Sequence, residues 1–366
     1  MDDYTLLAEA DYFREITGAI AETKRGDHVQ LITMNFVPTD SSIEALVDQL
    51  IAAAKRGVSV EMVVDAHEFM VTSGHIPLGP LYWRRDILTA KHPRYFYEKT
   101  KALEALRAAG GHYTIINEPT TYLTTPIGGR SHIKATVINN AAYVGGCNLG
   151  HTGQIDYMIR LDNKAAVAWI SQLITDIATH KHVQAALGTS DRQFNIDAHA
   201  SLIVDVGVSD QSLILKEALE LIDQARQWVV ITCQLLPNSI TAERLAHARQ
   251  RGVNVYSIYN DPSQHTSFVP LAQYLIRHGA KLRYGRAAII GQLPKHHQRL
   301  HAKLLATEQG AIIGSHNYLK LGVRLGTAEI AFLNRNPNFA RSVVTDLISR
   351  MVVSQDYPLP VLPKVG

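Results

Sequence analysis

His132 and Lys134 stand two residues apart in SHIKATVINNAAYVGGCNLG (131–150), and His301 and Lys303 repeat that spacing in LHAKLLATEQGAIIGSHNYL (300–319). The agreement continues downstream. Gly145 and Gly314 follow their histidines by 13 residues, Gly146 and Ser315 by 14, and Asn148 and Asn317 by 16. In an extended strand, residues i and i+2 point the same way, so each His-Lys pair projects from one face. The glycine turn lets backbone come close to a ligand, and the asparagines add amide donors. A neutral imidazole can attack phosphorus, ammonium and amide groups can hold its charged oxygens, and a second imidazole can protonate the leaving oxygen. One copy supplies half of that chemistry and two facing copies supply all of it. A lone His-x-Lys reads as packed strand residues. Packing alone has no reason to repeat His, Lys, Gly and Asn together at one spacing.

The segments around the motifs repeat as well. AAAKRGVSVEMVVD (52–65) and HARQRGVNVYSIYND (247–261) each read as a helix end, an Arg-Gly-Val turn and an apolar strand, with Gly57 and Gly252 closing the helices. Strand-like runs ending in Pro38 and Pro237 precede them. A helix-turn-strand pair, KALEALRAAGGHYTII and PLAQYLIRHGAKLRY, follows before each His-x-Lys strand. The alternation predicts an α/β fold of two similar domains, mixed sheets flanked by helices, related by a pseudo-twofold axis with the site at their interface. The domains are read as 1–186 and 202–366, joined by the polar linker 187–201. Gly57 and Gly252 lie 195 residues apart, whereas His132 and His301 lie 169 apart, so about 26 residues are inserted in the first half, within 66–100. That insertion gathers Phe69, Tyr82, Trp83, Tyr95, Phe96 and Tyr97 beside Arg84, Arg85, Lys91 and Arg94.

A length of 366 residues suits two cores, and 46% hydrophobic with 19% charged residues describes a folded chain. A net charge of +3 leans mildly toward anionic partners. Two cysteines, Cys147 and Cys233, exclude a disulfide framework. The opening MDDYTLLAEADYF is acidic where a secretory leader would be basic, and no apolar run approaches the ~18 residues of a membrane span. These features predict a cytoplasmic protein, with peripheral contact to the inner face of a membrane in keeping with the insertion. His296, His297 and His301 crowd PKHHQRLHAK, but no carboxylate or cysteine set accompanies them, so neither metal nor cofactor is expected.

With both motifs, their glycine turns and the stretches QIDYMIRLDNKAAVAWISQL, LLPNSITAERLAHARQRGVNV and GSHNYLKLGVRLGTAEIAFLN, the chain resembles the phospholipase D superfamily, whose signature is His-x-Lys-x4-Asp with a downstream Gly-Ser-x-Asn. More narrowly it resembles the bacterial cardiolipin synthase-like branch, over nearly the whole chain. The resemblance implies two phospholipase D-like domains and a two-step displacement without metal. His132 would form a phosphohistidine with the phosphatidyl group and His301 would protonate the departing alcohol, after which water or a second alcohol attacks. Residue types alone do not divide those two roles. The resemblance also implies an acid about two dozen positions after each histidine, matched by Asp156 and Glu329. Bonded to an imidazole N–H, such an acid fixes the tautomer and stabilises the imidazolium. The site expected is therefore His132, Lys134, Asn148 and Asp156 with His301, Lys303, Ser315, Asn317 and Glu329.

The sequence departs from the family pattern in places. The motif Asp falls at Asn139 and at Glu308, each turn is one residue shorter, and Gly146 stands where serine is usual. The partner expected is a glycerophospholipid such as phosphatidylglycerol. Two other readings stand beside it: a nuclease-like phosphodiesterase that stacks single-stranded nucleic acid on the aromatic-basic insertion, and a non-catalytic lipid-binding protein that has lost the motif Asp.

Overall fold

The computed structural model describes residues 3–70, 93–118, 129–233, 239–258 and 299–351. Its described strands form two seven-stranded mixed sheets. The first contains β1 (Tyr4–Ala8), β2 (His28–Thr33), β3 (Ser59–Asp65), β4 (His112–Ile116), β5 (Ala135–Ile138), β6 (Ala141–Gly145) and β7 (Tyr157–Leu161), in the order β1-β7-β6-β5-β2-β3-β4. The second contains β8 (Arg192–Asn195), β9 (Ala200–Asp205), β10 (Trp228–Thr232), β11 (Asn254–Ile258), β12 (Lys303–Thr307), β13 (Gly310–Gly314) and β14 (Glu329–Asn334), in the order β11-β10-β12-β13-β14-β9-β8. Read from the other edge, the second order matches the first, with β9, β14, β13, β12, β10 and β11 in the places of β1, β7, β6, β5, β2 and β3. The two halves are thus one α/β fold used twice. Within each, a parallel pair (β2 with β3, β10 with β11) adjoins an antiparallel meander.

The central strands are buried on both faces, which is why they read as near-continuous apolar runs. Alternate residues divide between layers. Leu31, Tyr143 and Met158 face an outer core with the helices Glu9–Ala21 and Ser41–Lys55, whereas Ile32, Val144 and Ile159 face a middle core. Ile231, Leu305 and Ile312 likewise face the helices Leu213–Gln224 and Ser239–Gln250, while Val230, Leu304 and Ile313 join the same middle core. The helices Lys164–His180 and Pro337–Ser349 contribute Ile170, Leu173, Val343 and Leu347 to that shared layer. One apolar layer therefore fixes how the halves face each other.

Part of the stretch expected as a polar linker is built into a sheet, because Arg192–Asn195 pairs antiparallel with Asn195↔Ser201 and Arg192↔Val204 at its limits. The expected second-half counterpart of β4, around KLRY, and most of the first-half insertion lie outside the described residues. Of the insertion's ends, Phe69 is packed in the first outer core and Tyr97 is 60% exposed on the helix Pro93–Ala108.

The altered motif Asp has a structural use in both halves. Asn139, at positive φ in the β5–β6 turn, accepts from the His28 backbone N–H through Oδ1 at 3.1 Å. Glu308, in the matching turn, accepts from the N–H groups of Arg226 at 2.5 Å and Trp228 at 3.2 Å. Each side chain holds the start of the neighbouring strand, and an amide oxygen does this as well as a carboxylate. Asn139→Ala and Glu308→Ala should each cost about 0.5–2 kcal/mol of stability. Denaturant midpoints would report this loss, and a catalytic defect without one would contradict the structural role.

Candidate active site

The motif residues meet where β5 and β12 begin and β6 and β13 end. Residues 132–134 approach β5 rather than lying within it, and Lys303 is the first residue of β12. Three short bridges hold this seam: Ser131 to Ala328 and Ile155 to Leu300 join the halves, and Phe36 to Leu149 braces the first. The His132 N–H donates to the Ala328 carbonyl at 2.8 Å, and the His301 N–H donates to the Ile155 carbonyl at 2.9 Å. Each histidine backbone is therefore anchored on the opposite half.

The carboxylates cross in the same way. His132 Nδ1 lies 2.8 Å from Glu329 Oε2, and His301 Nδ1 lies 2.5 Å from Asp156 Oδ2. Neither half contains a complete histidine-acid pair. Ser315 Oγ donates to Glu329 Oε2, and the Ile330 N–H donates to Ser315 Oγ at 3.0 Å. In the first half Gly146 has no hydroxyl to offer. Asp156 Oδ1 instead accepts from the Tyr157 N–H at 2.8 Å. A Cβ on Gly146 would stand 2.2 Å from Asp156 Oδ1, so the carboxylate occupies the space a serine side chain needs.

Lys134 and Lys303 are each 1% exposed behind the histidines. Lys134 Nζ donates to the His132 carbonyl at 2.9 Å, Lys303 Nζ donates to that of His301, and Lys303 Nζ also lies 3.0 Å from His301 Nε2. Burial, with Lys303 adding to it, pushes Lys134 down to about 7. Lys303 is lowered too, chiefly by burial. Burial would raise Asp156 and Glu329, but Lys303 and His301 hold Asp156 below its ordinary value and His132 holds Glu329 below its own. His132 is lowered by burial against the pull of Glu329. Burial and Lys303 bring His301 down to about 4 despite Asp156. At neutral pH the imidazoles are neutral and the carboxylates ionised.

A cleft of about 260 Å³ opens over this layer, lined by His132, Asn148 and His301 of the expected set. Lys134, Lys303, Asp156, Glu329 and Ser315 lie buried beneath. Asn317 closes the second turn. The Oδ1 atoms of Asn148 and Asn317 are buried and without a hydrogen-bond partner among the described residues. Such oxygens can accept from a ligand hydroxyl, and it is the Nδ2 groups of the same amides that could donate to phosphate oxygens. With Nδ1 engaged by Glu329, His132 presents Nε2 for attack, whereas Nε2 of His301 also has Lys303 Nζ at 3.0 Å. With these two imidazoles, two cations and two amides, the arrangement can bind and cleave a phosphodiester. Among the described residues no three His, Cys, Asp or Glu side chains are grouped as metal ligands.

Other residues at the site were not singled out in the sequence. His67 and Arg299 line the cleft, with His151 and Gln154. Position was the available signal for His67, two residues past the end of β3, because ligands in α/β sheets lie beyond the carboxyl ends of parallel strands. Glu9 Oε2 accepts from the Gln154 N–H at 2.7 Å, and the Glu9 N–H donates to the Asp156 carbonyl at 3.0 Å. Burial and then Asp156 raise Glu9 to about 8, so it keeps its proton beside the ionised partner of His301.

The histidines make stability depend on pH with a definite sign. The folded state holds His301 neutral down to about pH 4, against an ordinary value of 6.5. Between these limits the unfolded chain binds more protons, and stability falls as pH is lowered through the window. His132 acts in the same direction. Denaturant midpoints should decline from pH 6.5 to pH 4, and less steeply in His301→Gln. An identical decline in that variant would show that His301 is not held neutral.

The sequence matches the family described as "Cardiolipin synthase, PLD-like domain" over residues 16–177 and 218–351, more than half of the chain. Comparison with curated protein sequences finds no match. Among solved structures, the phosphatidylserine synthase of Haemophilus influenzae Rd KW20 is similar, with a TM-score of 0.67 and 12% identity, covering 94% of this chain and 85% of that one. The polyphosphate kinase of Porphyromonas gingivalis is also similar, with a TM-score of 0.55 and 13% identity, covering 94% of this chain and 49% of that one. At these identities the two structures share the fold. The family match covers both halves and both motifs, and the chain belongs to the phospholipase D-like enzymes of the cardiolipin synthase, PLD-like domain family, a family of phosphodiesterases and phosphatidyltransferases.

Proposed function

We propose that the protein is a phosphatidyltransferase or phospholipase acting on glycerophospholipids such as phosphatidylglycerol. The observation that carries the reading is the crossed pairing of His132 with Glu329 and of His301 with Asp156, which supports one composite centre. His132 Nε2 attacks phosphorus, forming the N–P bond as the P–O bond to the alcohol breaks. His301 takes up a proton as the phosphodiester anion binds and, as an imidazolium that Asp156 stabilises, gives that proton to the leaving oxygen. His301 then accepts a proton from water or a second alcohol as that oxygen attacks phosphorus, and His132 is released. Lys134, Lys303, Asn148 and Asn317 hold the non-bridging oxygens. Glu329, steadied by Ser315, orients His132.

The family's cardiolipin synthase character favours a lipid over a nucleic acid. A non-catalytic role loses its motivation once Asn139 and Glu308 are explained as backbone acceptors. Peripheral contact with the inner face of a membrane belongs to the reading. Exposed Tyr97, with Lys101 Nζ 5.8 Å from its ring centroid, supports it, since aromatic and basic side chains suit the headgroup region. The described residues contain no helix long and apolar enough to cross a membrane.

Purified protein should turn over phosphatidylglycerol and leave single-stranded DNA intact when the two are offered in parallel. The opposite preference would move the assignment to nucleic acid. His132→Ala and His301→Ala should each abolish turnover, since nucleophile and acid act as a unit. Rapid quenching should trap the phosphatidyl group on His132, and full activity in either variant would end the composite-site reading. Gly146→Ala should lower turnover by about 100-fold by displacing Asp156 from His301. Wild-type rates in that variant would show that the Asp156 contact is dispensable.

A further inference from the structure

His67 brings an imidazole into the cleft from beyond the end of the parallel strand β3. It follows β3 by two residues, and its backbone N–H donates to Asp65 Oδ1 at 2.8 Å. Asp65 is itself held, since its Oδ2 accepts from Asn117 Nδ2 at 2.7 Å and from the Ser131 N–H at 2.8 Å, and Arg130 Nη1 lies 3.5 Å from its Oδ1. The carboxylate that steadies the chain entering His132 therefore also steadies the backbone of His67. The ring lines the cleft together with His132, Asn148 and His301.

Two features set His67 apart from the phosphate-binding groups. Its Nδ1 is buried with no hydrogen-bond partner among the described residues, so no neighbour there dictates its tautomer. Burial, followed by Arg130, His132, Lys99 and Lys134, depresses it to about 3, and it stays neutral. A neutral imidazole adds little to the hold that two lysines already have on a phosphate. Either tautomer suits a hydroxyl, which both donates and accepts. In the sequence, the 195-residue offset that relates Gly57 to Gly252 aligns His67 with Pro262.

We infer that His67 is a specificity-determining residue that hydrogen-bonds a hydroxyl of the alcohol attached to the phosphate, so that the cleft selects hydroxylated, glycerol-type headgroups over alkyl alcohols of the same size. This rests on the reading of the cleft as a phosphodiester site and extends it to the alcohol. Phosphate positions the substrate and His67 reads what the phosphate carries.

The test compares glycerol 1-phosphate with propyl phosphate, which has the same carbon skeleton and no hydroxyl, by titration calorimetry on the full chain. The wild type should prefer glycerol 1-phosphate by about 3- to 10-fold, the difference one neutral hydrogen bond makes. His67→Phe keeps a ring and removes the hydrogen bond, and should bring the two affinities together. His67→Gln keeps a donor and an acceptor, should retain part of the preference, and replaces the Phe variant if that one fails to fold. No preference in the wild type, or a preference that survives in the variants, would overturn the inference. Turnover of phosphatidylglycerol by the wild type is followed separately. If there is none, the catalytic reading fails, while the paired affinities still decide the role of His67.

Discussion

Two buried lysines cannot share a dry site without compensation, and the manner of that compensation governs this molecule. Lys134 and Lys303 lie at the joint between the halves, each 1% exposed. Isolated charges at such depth would cost several kcal/mol each. Asp156 and Glu329 offset them, and each carboxylate is supplied by the half opposite the histidine it serves. A half-chain alone would hold a histidine without its acid. Assembly of the halves and assembly of the site are therefore one event, and the shared apolar layer of Ile170, Leu173, Val343 and Leu347 is what drives it.

The charge balance also explains why such a site accepts an anion. Two ammonium groups and two carboxylates sum to about zero, and burial still leaves Lys134 titrating near neutral pH. A phosphodiester adds one negative charge and favours the protonated lysine. Before an anion binds, the histidines contribute no charge, because burial lowers both. A positive charge that forms on either imidazole during a reaction meets a carboxylate already in place, and this preorganised compensation is where such sites gain most of their catalytic power.

Much of this was legible in the sequence for a simple reason: the motif residues repeat at one spacing, and spacing along a strand translates directly into direction. The doubled sheet and seven of the expected site residues follow from it, while Asp156 and Glu329 come with the resemblance to the family. The crossing of the acids does not. Asp156 and Glu329 are each 24 to 28 residues after the histidine of their own half, and only the packing of the middle layer turns them toward the other one. Asn139 and Glu308 read as lost catalytic groups because a chain read alone does not reveal that the backbone N–H groups of His28 and Arg226 face them. His67 escaped notice for a related reason. Its importance comes from a strand end meeting a cleft that also draws on His132, Asn148 and His301, the nearest of them 65 positions away.

The two half-sites meet one requirement with different atoms, and the difference removes an apparent defect. In the second half Ser315 fills the turn and its hydroxyl braces the longer Glu329. In the first half the turn carries Gly146, which taken alone is a missing donor. Yet the space where a serine Cβ would sit is taken by the Asp156 carboxylate, 2.2 Å from that position. The shorter acid reaches His301 at 2.5 Å from there and is braced by the Tyr157 N–H in place of a hydroxyl. Glycine at 146 and aspartate at 156 are thus a single solution, since a serine in the first turn would evict the acid it was meant to support. Protonated Glu9, bonded to the Gln154 backbone two residues before Asp156, holds the same segment from the opposite side. A neutral carboxyl can approach an ionised one where a second carboxylate would be repelled. The first half has exchanged one hydroxyl contact for two backbone contacts, and the pseudo-symmetry of the site survives in function although its atoms differ.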